Sequence, residues 1–178
     1  MWIKAKGVYI LDRADVYVIM GVAGSGKSSV GVALASELDA VYLDGDDLHS
    51  AANIAKMSSG QPLTDADREP WLQRVGQTLA AADTVLIVGC SALRRMYRDW
   101  IRQHAQCDVG FLHLSGSRAV IEQRMSMREG HFMPVKLLDS QFTTLEQPHA
   151  DETAVVVDID QKFEAVVAQL ANYIRNQR

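Results

Sequence analysis

The chain predicts an α/β fold, a doubly wound five-stranded parallel sheet with helices on both faces. Three observations carry the prediction. From Val16 onward, short apolar runs rich in β-formers alternate with stretches of helical periodicity, the pattern that builds parallel sheets through right-handed crossovers. One run, Thr84-Val85-Leu86-Ile87-Val88, is continuously apolar, as a strand covered on both sides must be. The first strand passes into a helix through Gly21-Val22-Ala23-Gly24-Ser25-Gly26-Lys27-Ser28, which matches G-x-x-x-x-G-K-[ST] at every fixed position.

Bulk properties narrow the class. At 178 residues the chain is about one domain, long enough to bury a core without staples. A net charge of −4 argues against general affinity for nucleic acid or an anionic membrane, so any site for an anion must concentrate positive charge locally. Cys90 and Cys107 are spaced for neither a metal knuckle nor a redox pair, and suit a reduced compartment. No apolar run has the length of a membrane span. Residues 1–15 carry Lys4, Lys6, Asp12 and Arg13 and lack a signal-peptide core, so they read as an N-terminal extension, an extra strand or a loose segment. Residues 16–178 then form a single domain, with the cytoplasm as its natural location.

The elements follow in order. Val16-Tyr17-Val18-Ile19-Met20 is the first core strand, and Val30, Leu34 and Leu38 set a helix after Ser28. Val41-Tyr42-Leu43 is a second strand, leading into Asp44-Gly45-Asp46. If the strand stays extended, both carboxylates point to one side at the carboxyl end of the sheet, where open α/β sheets bind ligands; a solvated Asp-Gly turn is the plainer reading. A short helix over 50–57 is broken by Ser58-Ser59-Gly60-Gln61-Pro62. Thr64 and Asp67 resemble a capping pair for a helix reaching about residue 82, with Pro70 tolerable in a first turn. After the strand at 84–88, a helix over about 92–104 carries Arg94, Arg95, Arg98 and Arg102. Most of these read as solvated, with Arg98 as the exception. A strand over 109–114 contains His113, read as packed or surface rather than catalytic.

A helix over 117–128, a break at Gly130-His131-Phe132-Met133-Pro134 and a helix over 135–145 make a lid-like layout at about 117–147. Arg124 and Arg128, four apart, share a face that either closes over phosphates or is solvated beside Glu122 and Glu129. A last strand, Ala154-Val155-Val156-Val157-Asp158, precedes a helix whose apolar stripe is Phe163, Val166, Val167, Leu170 and Ile174.

The glycine-rich loop lets successive N–H groups face a phosphate, with the helix dipole behind them. Residues 21–28 with Ser29 are therefore expected to hold ATP. Lys27 is the cation for the outer phosphates, and Ser28 is a ligand for Mg2+. The chain shows no guanine-reading or switch signature, and a motor ATPase needs more residues. A kinase for a small molecule or nucleotide fits the length, the acid pair and the lid. Phosphoryl transfer rests on positioning and charge neutralisation. Asp46 is taken as the base at the acceptor hydroxyl and Asp44 as the magnesium ligand, with the reverse assignment open. Arg68, between acidic neighbours, is read equally as a structural ion pair or a substrate contact.

Beyond these local signals, the sequence resembles the gluconate kinases (gluconokinases) of the small phosphate-loop type. The resemblance runs through Met20-Gly21-Val22 to Ser28, Leu43-Asp44-Gly45-Asp46 with His49, Asn53 with Lys56-Met57, and residues 60–72. It continues at Cys90-Ser91-Ala92-Leu93, Tyr97-Arg98-Asp99, Gly130-His131-Phe132, Leu137-Leu138, Ser140-Gln141-Phe142, Thr144-Leu145-Glu146 with Pro148, Ala150-Asp151-Glu152 and Val157-Asp158-Ile159-Asp160. The stretches 60–72 and 130–148 are the diagnostic ones. The resemblance implies ATP-dependent phosphorylation of D-gluconate to 6-phosphogluconate, a nucleotide/shikimate-kinase-like fold with a helical lid, magnesium, a cytoplasmic location and a homodimer. It makes Arg98, Arg68 and Lys56 the cations for the substrate carboxylate, and His49, Asp46 and His131 readers of its hydroxyls. Arg124 and Arg128 become lid residues over ATP, and the loop around Asp160 the adenine edge. The chain departs from the family at Ser50-Ala51-Ala52, where proline and charged residues are usual, and at Ala23, where serine is common. Two further readings stay open: a kinase for another small anion such as shikimate, and a catalytically silent nucleotide-binding protein. Retention of Lys27, Ser28, Asp44 and Asp46 argues against the second.

Overall fold

The structure, a computed structural model, describes residues 2–5, 8–11, 15–126 and 135–177. Strands β1 (Trp2–Ala5) and β2 (Val8–Leu11) pair antiparallel as a hairpin separate from the main sheet. Next come β3 (Val16–Met20), α1 (Lys27–Leu38) and β4 (Val41–Asp44), then a 3-10 turn (Gly45–Leu48), α2 (Ala51–Ser58) and α3 (Asp65–Ala80). They are followed by β5 (Leu86–Gly89), α4 (Arg95–Ala105), β6 (Val109–Ser115) and α5 (Arg118–Ser126), and finally α6 (Val135–Thr144), β7 (Ala154–Asp158) and α7 (Phe163–Gln177).

The main sheet has the predicted five parallel strands, in the order β4-β5-β3-β6-β7. β3 lies at the centre with all five residues buried, and the chain winds outward from it in both directions. That reversal opens a crevice at the carboxyl edge beside β3, where the glycine-rich loop emerges.

Strand periodicity sorts the core into two layers. Tyr17 and Ile19 pack on one face of the sheet with Val30 and Leu34 of α1 and Val166, Leu170 and Ile174 of α7. Val16, Val18 and Met20 pack on the other with Leu72, Val75 and Leu79 of α3 and Tyr97 and Ile101 of α4. Each fully buried side chain of this kind stabilises by about 1.5–3 kcal/mol relative to exposure. α7 keeps most of its predicted stripe, but Phe163 is exposed and Ala171 is buried.

Local chemistry sets several boundaries. α3 begins with a full capping box: the Thr64 hydroxyl accepts the Asp67 N–H, and the Asp67 carboxylate accepts the Thr64 N–H. Pro70 sits in the second turn of α3 rather than the first, so the helix forgoes one N–H donor there. α4 starts at Arg95, later than its periodicity suggests. Ala92 is left-handed with φ 43° and Arg94 is extended, so residues 90–94 remain a loop. Among the described residues no helix is long and apolar enough to cross a membrane.

Candidate active site

The carboxyl edge of β3, β4 and β5 gathers most of the residues singled out from the sequence. The loop between β3 and α1 turns through Gly24 (φ 80°) and Gly26 (φ 96°), left-handed conformations that glycine adopts without strain. A Cβ at Gly24 would also press into the Met125 side chain of α5. Gly21 N–H ties the loop to the segment after β5 by donating to Ser91 O (3.4 Å), and Ser25 N–H closes a turn within the loop by donating to Val22 O (3.2 Å). Lys27 folds back over it, its Nζ donating to the carbonyls of Gly21 (3.0 Å) and Val22 (3.1 Å). Ser28 and Ser29 lie exposed in the first turn of α1. N–H groups, a helix start and an ammonium therefore converge where phosphates would lie.

Asp44 and Asp46 are not arranged as an extended strand would place them. β4 ends at Asp44, the chain tightens into the 3-10 turn, and Asp44 caps that turn by accepting the Asp46 N–H at Oδ1 (3.1 Å). This corrects the route by which the acids meet: a turn, not strand alternation, brings them together. The other oxygen of Asp44, Oδ2, accepts the Ser28 hydroxyl at 3.3 Å. Two hard oxygen donors so close fit a magnesium ion that takes its remaining ligands from phosphates and water. Among the described residues no cluster of three or more acidic, His or Cys side chains could hold a metal alone.

Asp46 projects into the crevice with its side chain 81 % accessible. The surrounding walls still withdraw it partly from water, and Asp44 stands beside it; both raise its pKa above the ordinary aspartate value. His49 stacks on Trp71 with ring centroids 4.1 Å apart, and Trp71 Nε1 donates to Gly45 O at 2.6 Å, locking the stack to the turn. Asn53 Nδ2 lies 3.4 Å from His49 Nδ1 and donates to Asp67 O at 2.9 Å. An amide donor at Nδ1 leaves the proton of a neutral imidazole on Nε2, which is 3.8 Å from Asp46 Oδ1. Burial lowers the His49 pKa despite Asp46, and Arg68 lowers it further. His49 thus presents Nε2 toward Asp46 at the crevice.

The cations divide differently from expectation. Lys56 Nζ meets Asp67 Oδ2 at 2.5 Å and so belongs to the capping box of α3 as much as to the crevice. That contact, followed by the Thr64 hydrogen bonds, holds the Asp67 carboxyl well below its usual range. Arg68 donates to Leu63 O at 2.5 Å, stands 3.8 Å from Asp65, and lies 5.8 Å from the Tyr97 ring centroid. Arg94 flanks the same ring at 5.8 Å and reaches Asp65 at 2.7 Å.

Arg98 is the clear correction. It is fully buried, its Nε and Nη2 bind Glu152 bidentately at 2.7 and 2.8 Å, and its Nη1 donates to Ala92 O and Glu146 O. Burial alone would raise the Glu152 carboxyl, but Arg98, then Arg102 and the His149 N–H, hold it far below its usual range. Arg98 thus fastens α4 to the segment before β7 and presents no donor to a substrate. His113 is packed as expected, its pKa pushed down to about 4 by burial and then by Arg98.

Arg124 sits farther along the edge, its Nη2 donating to Ile159 O at 2.5 Å. With Val120 and Gln123 it lines a cleft of about 350 Å³ whose far wall is the loop 159–162, including Asp160. Arg128 and His131 lie outside the described residues. Trp71, Asn53 and Arg94 stand beside the expected site residues without having been assigned a role: Asn53 and Trp71 fall in stretches that carry the family resemblance, and Arg94 is one of four arginines close together in sequence.

Comparison with known proteins agrees with this geometry. A family model described as an AAA domain matches residues 16–171. The thermoresistant gluconokinase of Escherichia coli (strain K12) is 48% identical over 164 residues, covering 90% of this chain and 93% of that protein. The crystal structure of a gluconokinase from Sinorhizobium meliloti 1021 superposes with a TM-score of 0.80 at 45% identity, covering 92% of this chain and 97% of that one. A shikimate kinase from Aquifex aeolicus shares the fold alone, at 15% identity, a TM-score of 0.56, and coverage of 91% of this chain and 97% of that one.

Proposed function

The chain belongs to the gluconokinase family, and on that premise we propose that it transfers the γ-phosphoryl group of ATP to D-gluconate, giving ADP and 6-phospho-D-gluconate. The observation that carries the reading is the meeting, at one sheet edge, of the phosphate loop, the Ser28–Asp44 pair at 3.3 Å and the Asp46–His49–Trp71 wall. The loop N–H groups of residues 21–28 cradle the phosphates. Lys27 leaves its two carbonyl partners for the outer phosphate oxygens, where it neutralises charge that grows in the transition state. Asp46 accepts the proton of the acceptor hydroxyl as its oxygen bonds to the γ-phosphorus and the bond to the β-phosphate oxygen breaks. Partial burial and then Asp44 raise its pKa, which makes it a stronger base than an ordinary aspartate. His49 Nε2–H orients a neighbouring hydroxyl.

Ser28 and Asp44 would hold a magnesium ion, which would supply neutralisation of phosphate charge. With Arg98 committed to Glu152, the substrate carboxylate goes to Arg68, with Arg94 beside it. Both now lie against Asp65, a carboxylate that the substrate's own can replace. Arg124 and the loop around Asp160 border the adenine. Arg128 and His131, a homodimer and a cytoplasmic setting complete the reading on the strength of the family resemblance, as does the division into residues 1–15 and a kinase domain.

The test is ADP release with magnesium and ATP against gluconate, other sugar acids, shikimate and nucleoside monophosphates. Gluconate should be the preferred acceptor; turnover that does not depend on gluconate sinks the reading.

A further inference from the structure

Ala23 is the third residue of the phosphate loop, and its N–H is held from a distant part of the chain. Gln141 of α6 accepts it at Oε1, 2.6 Å away and 118 residues on in sequence. A backbone N–H can be paired only by an acceptor, so the carboxamide oxygen, not its nitrogen, faces the loop. Packing specifies the position. Leu138, one turn earlier, is 2% exposed in the core, and Phe142 and Leu145 pack against the same cluster. Immediately beyond, Glu146 N–H donates to Leu93 O at 2.7 Å and Glu146 Oε2 accepts the Arg95 N–H at 2.6 Å. Gln141 is therefore delivered to the loop by a fastened element.

The partner that a phosphate-loop N–H is built for is a phosphate oxygen. Gln141 Oε1 takes such an oxygen's place on Ala23, while Lys27 is satisfied by loop carbonyls. A carboxamide differs from a carboxylate in one respect that matters here. Its terminal torsion is soft and roughly two-fold, so a half-turn exchanges an acceptor for an N–H donor at little cost.

We propose that Gln141 contacts the phosphoryl group in the reaction: it occupies the Ala23 N–H when the loop is empty, and turns to donate Nε2–H to the transferred phosphoryl when ATP is bound. The proposal rests on the loop being an ATP site and is independent of which acceptor is used.

The isosteric Q141E separates this role from a structural one. A glutamate accepts the Ala23 N–H at least as well as glutamine, so the thermal midpoint of the nucleotide-free protein should be kept. It cannot donate when ionised, and its charge opposes the phosphates, so ATP affinity should fall more than tenfold and turnover further. Lowering the pH toward the glutamate pKa should restore part of the ATP affinity relative to wild type. If Q141E binds ATP as tightly as wild type, Gln141 is only a loop anchor and the proposal fails. Because charge alone would weaken ATP at a mere anchor too, the neutral Q141M decides: a tenfold or greater loss of kcat at saturating ATP supports the proposal, and an unchanged kcat overturns it. ATP affinity is measured by titration without an acceptor, so a wrong assignment of gluconate would leave this test intact.

Discussion

Replacing Arg98 by methionine separates a structural arginine from a substrate arginine. The substitution keeps most of the volume and removes the guanidinium. Glu152, itself buried, would keep Arg102 at 2.7 Å and the His149 N–H at 3.0 Å but lose its bidentate partner. The carbonyls of Ala92 and Glu146 would lose their donor at a site closed to water. Removing one side of a buried ion pair costs about 3–5 kcal/mol, a large part of the roughly 5–15 kcal/mol that holds a domain together. For a chain of this size that corresponds to a fall in Tm of roughly 6–20 °C.

The pH dependence has a definite sign. The Glu152 carboxyl is depressed in the folded state, so its contribution is fully present above the ordinary glutamate pKa and is lost as pH falls through and below that range. Arg98→Met should therefore be less acid-sensitive than wild type as well as less stable. Urea unfolding from pH 7 down to pH 3 measures both. On the folded fraction, the gluconate KM should stay within about twofold, because Arg98 offers the substrate no donor. Stability within about 1 kcal/mol of wild type together with a tenfold rise in gluconate KM would refute the structural assignment.

Two further expectations concern groups at and behind the site. Asp46→Asn should lower kcat by about a hundredfold or more with ATP affinity nearly unchanged; near-normal turnover would remove Asp46 from the role of base. Burial holds His113 neutral, with its pKa lowered to about 4, so its contribution to stability is complete above pH 6.5 and declines between 6.5 and about 4. Across pH 6.5 to 5, wild type should lose about 2 kcal/mol more than His113→Gln, measured by denaturant unfolding. Equal losses would mean that His113 charges freely in the folded protein.

The residues whose chemistry is local were legible from the sequence. The phosphate loop is written in glycines that set left-handed turns and in an adjacent lysine and serine, so its conformation needs little from the rest of the chain. The capping box of Thr64 and Asp67 is equally local. The five strands follow from apolar runs whose alternation sorts side chains between two helical layers. Tertiary structure decided what periodicity leaves equivalent. Arg94 and Arg98 lie on the same helical approach, and only the return of residues 146–152 onto α4 determines which one is sealed against Glu152 and which stands at the crevice. The two acids meet through a turn whose tightness comes from Asp44 capping it and from Trp71 bonding Gly45 across 26 residues. Gln141 reaches the phosphate loop because α6 packs Leu138 into the core, a contact no local pattern encodes. Sequence alone thus determined the binding of a triphosphate, because backbone geometry there is set residue by residue. The pairing of the cations and the approach of Gln141 to the loop belonged to packing between distant segments.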